Sequence, residues 1–191
     1  MKNKRVPTNL IALAFLTVSV ALALAAQDKY TVSVPGGLGF AEFRGYEDWQ
    51  PVGPSLTDAQ NVIRMIVANP VMIKAYREGV PANGNPFPDD SKIAKIEWRP
   101  KKITDAPFSA STPDTVPGLL AEVEFIEKDA KRFPDGHGWG YAAFNYDSAS
   151  DSFTPVTAAD RPPQANDAKC GVACHNIAAP KDYIFTAYPK R

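Results

Sequence analysis

Cysteine and histidine are scarce in this chain, with two of each in 191 residues. Two cysteines make no disulfide framework, so the fold must rest on a hydrophobic core. An excess of either charge is missing too: 21 basic side chains balance 21 acidic ones. That balance excludes a strongly basic nucleic-acid binder and an acidic solvating tail. Hydrophobic residues make up 45% and charged residues 22%, a globular rather than a disordered composition. Proline is in surplus. Its 18 copies disfavour a bundle of long helices, because an interior proline removes a backbone donor and breaks the turn.

Long hydrophobic runs are confined to one place. Lys2, Lys4 and Arg5 precede an uncharged stretch from Leu10 to Ala26, with Ala23-Leu24-Ala25 as a recognition triplet. Residues 1–26 read as a signal peptide cleaved before Ala26 or Gln27, which predicts export to the periplasm. An uncleaved membrane anchor is the competing reading. Cleavage leaves one domain, 27–191, with 18 basic and 21 acidic groups and a net charge of −3. Export also places the two thiols in an oxidising compartment.

In the mature chain the hydrophobic period is mostly two. Lys92 to Trp98 alternates Ala94, Ile96 and Trp98 with Ile93, Lys95 and Glu97. Leu119, Ala121, Val123 and Phe125 alternate with Leu120, Glu122 and Glu124, and Trp139 to Tyr146 is a third, aromatic strand. Val62 to Val67 predicts a buried strand. Asn69-Pro70 and Gly79 punctuate a short helix at about 70–78. Pro81 to Asp90 reads as a loop, Tyr30 to Phe43 as an irregular extended opening, and Phe43 to Trp49 as a short helical turn. The class predicted is α+β: a β-rich, mainly antiparallel curved sheet with short helices.

Chemistry concentrates near the C-terminus. Cys170-Gly171-Val172-Ala173-Cys174-His175 is one residue longer than the C-x-x-C-H motif, in which two thiols attach a haem and the histidine binds its iron. On a regular helix the extra residue would set the second sulfur and the imidazole at about 40° and 140° from the first sulfur. A looped-out or distorted turn at Gly171 to Ala173 is therefore expected, and a regular α-helix through 170–175 would sink the haem reading of this motif. A Cys170–Cys174 disulfide and a zinc site that adds His137 are the competing readings.

The chain also resembles the cytochrome P-460 family, which includes the beta type of cytochrome c′. The resemblance runs from about Phe40 to Tyr188. It rests on Phe43-Arg44-Gly45-Tyr46-Glu47-Asp48-Trp49, Asn69-Pro70 with Ala75-Tyr76 and Gly79, and Phe87-Pro88-Asp89. Further on it takes in Gly138-Trp139-Gly140-Tyr141 with Phe144, Cys174-His175, and Asp182-Tyr183-Ile184-Phe185-Thr186. It implies a periplasmic, homodimeric monohaem protein with a C-terminal haem-attachment segment. Cys170 and Cys174 would bind one covalent haem c, with His175 as the proximal iron ligand. A small nitrogenous ligand such as hydroxylamine or nitric oxide, and a soluble redox partner, would follow.

A lysine cross-linked to the haem marks the hydroxylamine-oxidising members of that family, and the beta cytochromes c′ lack it and bind gas ligands. Lys95 matches its spacing better, Lys92 is the alternative, and two ordinary strand-edge lysines are the competing reading. Asp90 stands where the resemblance leads one to expect glycine, which predicts a different turn there. His137, Met65 and Met72 are weaker haem-side candidates than the bland alternatives of loop and core. Glu122 and Glu124 are candidate proton-transfer carboxylates or ordinary exposed acids on a strand. Trp139, Tyr141 and Phe144 are expected in the core or around a porphyrin.

Overall fold

The computed structural model describes residues 27–35, 37–57, 61–103, 113–156 and 171–190. The residues 1–26 read as a signal peptide, and Cys170, lie outside the described residues. The alternating segments form a six-stranded antiparallel sheet whose spatial order follows the chain. Its strands are β1 (Gln50–Thr57), β2 (Val62–Ala68), β3 (Lys92–Lys102), β4 (Thr115–Lys128), β5 (Trp139–Asp147) and β6 (Ser152–Pro155). Helix α1 (Pro70–Arg77) lies between β2 and β3, and α2 (Val172–His175) follows β6. The α+β class therefore stands. The expected curvature does not extend to curling or closure: β6 pairs with β5 over four residues, and β1 and β6 are the two ends of the strand order.

Helix α1 starts as its punctuation predicts. The Asn69 side chain accepts a hydrogen bond from the Met72 N–H at 3.1 Å, Pro70 needs no donor, and Gly79 takes φ 93° beyond the end. β1 is absent from the sequence reading because Pro51, Gly53 and Pro54 mask it. An edge strand tolerates them, and the register shifts between Pro51 and Gly53. β6 is too short to show a period. The opening is less extended than expected: 3-10 turns form at Lys29–Thr31 and Phe40–Phe43, and the expected turn before Trp49 is another at Tyr46–Asp48.

Each sheet face has its own core. Val67, Ala94, Val123, Phe125, Ala142 and Phe144 point to one side, where Phe40, Phe43 and Tyr46 of the N-terminal turns cover them. Phe125 is the hub. It stacks on Phe43 at 4.2 Å between ring centroids and meets Phe40 and Tyr46 edge-on at 4.9 and 5.2 Å. Ion pairs lock the cover in place. Arg132 binds Glu42 and donates to the Gly37 carbonyl at 2.8 Å, and Lys92 Nζ donates to the Glu42 carbonyl at 3.0 Å. Ile66, Ala68, Ile93 and Tyr141 face the other way, against Met72, Ile73 and Tyr76 from α1 and Ile184 from the C-terminal segment.

Two outcomes test this packing. Phe125→Ala should destabilise the protein by about 3–5 kcal/mol in denaturant titration, with an unchanged m-value. Burial works against the Glu42 carboxylate. The hydrogen bonds from Arg132 and the Gly39 N–H, with the Arg132 and Lys92 charges, outweigh it and hold its pKa below the ordinary value of 4.5. A depressed carboxylate stabilises the fold above that value and loses its contribution as pH falls through the lower, folded-state pKa. Glu42→Gln should therefore lower stability at neutral pH, with a gap from the parent that closes in acid.

Candidate functional site

The α1-covered face is divided along the strands. In register with one another, Ile66, Lys95, Glu124 and Ala143 form one row across β2 to β5, and Arg64, Glu97, Glu122 and Asn145 form the next. The row on the other side of Lys95 is Ala68, Ile93, Ile126 and Tyr141. An apolar half thus adjoins an ionic half, about one 7 Å pleat repeat away.

The ionic half is paired internally. Arg64 Nε donates to Glu97 at 2.7 Å, Lys95 Nζ lies 3.3 Å from Glu97, and Lys95 also binds Glu124. Glu97 and Glu122 are 3% and 2% exposed, so the expectation of ordinary exposed acids fails for Glu122. Ligand atoms of Glu97, Glu122 and Glu124 lie within 4.8 Å of one another, but Arg64 and Lys95 occupy the charge a cation would meet. Lys92 projects from the opposite face. Its ammonium is 3.1 Å from Glu127 and 5.2 Å from the Phe43 ring centroid, within the aromatic core. The two candidate lysines are therefore separated by the sheet, and it is Lys95 that shares a face with His175.

His175 ends α2 over the apolar half. Its ring lies 4.8 Å from the rings of both Tyr141 and Phe185. Nδ1 is 2.6 Å from the Tyr183 carbonyl oxygen. A carbonyl only accepts, so Nδ1 carries the proton and Nε2 keeps the lone pair. Burial pushes the His175 pKa below its ordinary value of 6.5. The Tyr183 bond and the Glu124 charge oppose that shift, and the Lys95 charge adds to it. The result is an imidazole of lowered pKa and defined tautomer, close enough to the ionic row to feel the Glu124 and Lys95 charges.

The expected loop-out at Gly171 to Ala173 is not found. The His175 N–H donates to the Gly171 carbonyl at 2.9 Å, and Gly171 has helical φ −94° and ψ −11°. Glycine serves close packing there, not an unusual dihedral: a Cβ on Gly171 would lie 2.3 Å from Tyr141 Cδ1. The turn is regular helix from Gly171 to His175, so the described part of the motif runs against the condition for haem attachment, and Cys170, which completes the 170–175 span, lies outside the described residues. Cys174 has a free, exposed thiol. Among the described residues Cys174, His175 and His137 form no metal-ligating group, and the zinc reading's fourth residue, Cys170, lies outside them.

The turn after α2 is the part that sequence reasoning missed. Asp182 and Tyr183 adopt φ 49° and 65°, left-handed values that cost on the order of 1–2 kcal/mol each for residues with a Cβ. The Lys128–Asp182 pair, 2.9 Å apart, braces this turn, and the Tyr183 ring stacks on His137 at 4.4 Å. His137 is thus a supporting loop residue, as its bland reading had it. Met65 packs against the aromatic core on the far face, and Met72 is fully buried in α1. Trp139, Tyr141 and Phe144 are buried as expected. Asp90 takes φ 67°, the backbone conformation suited to the glycine that the resemblance leads one to expect.

A half-buried histidine, hydrogen-bonded at Nδ1 and next to a cysteine on one face of an antiparallel sheet, makes this a candidate ligand site. The family model described as cytochrome P-460 matches residues 43–186. The chain belongs to the cytochrome P-460 family, and its function is cytochrome-like in that general sense. No curated protein matches the chain.

Gly171→Ala should drive the added methyl into Tyr141, cost about 1–3 kcal/mol, and perturb the His175 ring signals in NMR. Gly171→Ala with Tyr141→Leu should recover part of that loss.

Proposed function

We propose that this protein is an exported c-type cytochrome that binds one covalent haem and handles small nitrogen species or electrons in the periplasm. The observation that carries this reading is the state of His175. Its Nδ1–H is spent on the Tyr183 carbonyl, its burial favours the neutral form, and its Nε2 lone pair is left to ligate. The two described donors, Cys174 and His175, are chemically suited to the group, although the turn that carries them is regular. Cys174 offers an exposed thiol next to that imidazole, and Ile177 and Phe185 present exposed apolar surface around them. Cys170 and Cys174 would hold the haem through thioethers and His175 would hold its iron. When bound, the haem supplies a redox-active iron able to bind a small ligand.

The chain's own residues determine what surrounds that ligand. Tyr141 and Phe185 confine the imidazole on two sides. Lys95, Glu97, Glu122 and Glu124 lie on the same face, and Glu124, paired with Lys95, would be the carboxylate there for proton transfer. A homodimer, a soluble redox partner and a small nitrogenous ligand belong to this reading.

Enzyme and gas-binding or electron-transfer protein differ at Lys95. A specific observation favours the second, non-catalytic version. The Lys95 ammonium is shared by Glu97 and Glu124, and a cross-link to haem would have to take the amine from both. Peptide mapping by mass spectrometry separates them. We expect a haem adduct on the peptide holding Cys170 and Cys174, with Lys95 and Lys92 recovered unmodified. A haem peptide joined to residues 92–95 would establish the cross-linked, hydroxylamine-oxidising version. The absence of any adduct on 170–175 would contradict covalent haem. His175→Ala should keep the adduct but change the ferric and ferrous spectra.

A further inference from the structure

We propose that Asp182, gripped by Lys128, is the positioning residue for the His175 imidazole, acting through the Tyr183 carbonyl. The proposal deepens the haem-binding reading and rests on it. Asp182 ties three parts of the chain together. Oδ1 and Oδ2 accept from Lys128 Nζ at 2.9 and 3.2 Å, and Oδ2 also accepts the Phe87 N–H at 2.8 Å. The next residue is therefore held in its left-handed conformation, with its carbonyl 2.6 Å from Nδ1 of His175. Lys128 grips the other side of the turn as well. Its Nζ donates to the His137 carbonyl at 3.3 Å, and the His137 ring stacks on Tyr183. One ammonium thus fixes both the backbone and the ring of the residue that receives the Nδ1 proton.

The side chains of Lys128 and Asp182 are 9% and 12% exposed, so water does not compete freely for either. Neither is described in contact with the imidazole, and their influence passes through a single carbonyl. Groups that orient the far nitrogen of a ligating histidine set its tautomer, its rotation and its basicity. A purely structural ion pair would change stability and leave those properties alone.

The test uses the exported holoprotein with Asp182→Ala, Asp182→Asn, Lys128→Met and a control, Asp89→Ala. Asp89 accepts the Ala130 N–H at 3.0 Å in the adjoining loop, and its carboxylate takes no part in the Lys128–Asp182 pair. Three properties are read: the iron–histidine stretching band of the ferrous form, the His175 ring nitrogen shifts in the diamagnetic ferrous carbonyl form, and the thermal midpoint. Asp182→Ala and Lys128→Met should move the stretching band to lower frequency and the Nδ1 shift away from its hydrogen-bonded value. Asp182→Asn, which keeps an acceptor for Phe87, should move both part way. Asp89→Ala should change the thermal midpoint alone.

An unchanged band and unchanged ring shifts in folded Asp182 variants would overturn the proposal. Where Asp182→Ala does not fold, Asp182→Asn carries the comparison. If the purified protein lacks haem, the functional reading fails instead. The ring shifts of the haem-free chain then decide the proposal, with an Nδ1-protonated parent and a mixed-tautomer variant as the supporting result. An identical tautomer in both would overturn it.

Discussion

The pairing of β3 with β4 is the constraint on which the rest of this protein depends. It aligns Lys95 with Glu124 and Ala94 with Phe125, and so puts the Arg64, Lys95 and Glu97 network on one face and the Phe125 aromatic cluster, with the Lys92–Glu127 pair at its edge, on the other. Because side chains alternate, a slip of one residue in β4 would bring Phe125 and Val123 to the ionic side and bury Glu122 and Glu124 against Phe43. Burying unpaired carboxylates in an aromatic core costs far more than the exchange could return. Register is therefore set by the mismatch between the two faces, and the position of Lys95 relative to His175 is set with it.

From that frame the site is assembled by late elements. Tyr141 on β5 lies in the row next to Lys95 and Glu124, and the absence of a side chain at Gly171 lets α2 settle onto its ring. His175 then projects beside Tyr141 and turns its Nδ1–H toward Tyr183. Burial lowers the imidazole's pKa, while the nearby ionic row supplies charges that largely answer one another. On the proposed haem reading, an imidazole in that state ligates iron without first losing a proton. A protonated, solvent-exposed histidine would have to lose a proton before it could bind iron.

Much of this architecture was legible in the residues, for reasons that can be named. Asn69-Pro70 and Gly79 act through local backbone geometry, and the period of two in Lys92 to Trp98 needs no tertiary information. His175 stood out by its neighbours in the chain. The failures have equally physical causes. β1 hides behind prolines that only an edge strand accepts, and β6 is four residues long. The glycine of the cysteine motif suggested backbone freedom, whereas its role is steric and set by Tyr141, some 30 residues earlier. The Lys128–Asp182 brace joins residues far apart in sequence, and neither has a local pattern that marks it. Buried Glu122 was missed because alternation gives the face on which a residue lies, not how deeply that face is covered.

The most direct test of the central claim is the optical spectrum of the protein purified after periplasmic expression with haem maturation, taken before and after acid–acetone extraction. A Soret band that stays with the polypeptide through extraction is the result this account predicts, since thioether bonds at Cys170 and Cys174 survive it. A colourless protein, or a band lost to the solvent, would contradict a covalently bound haem.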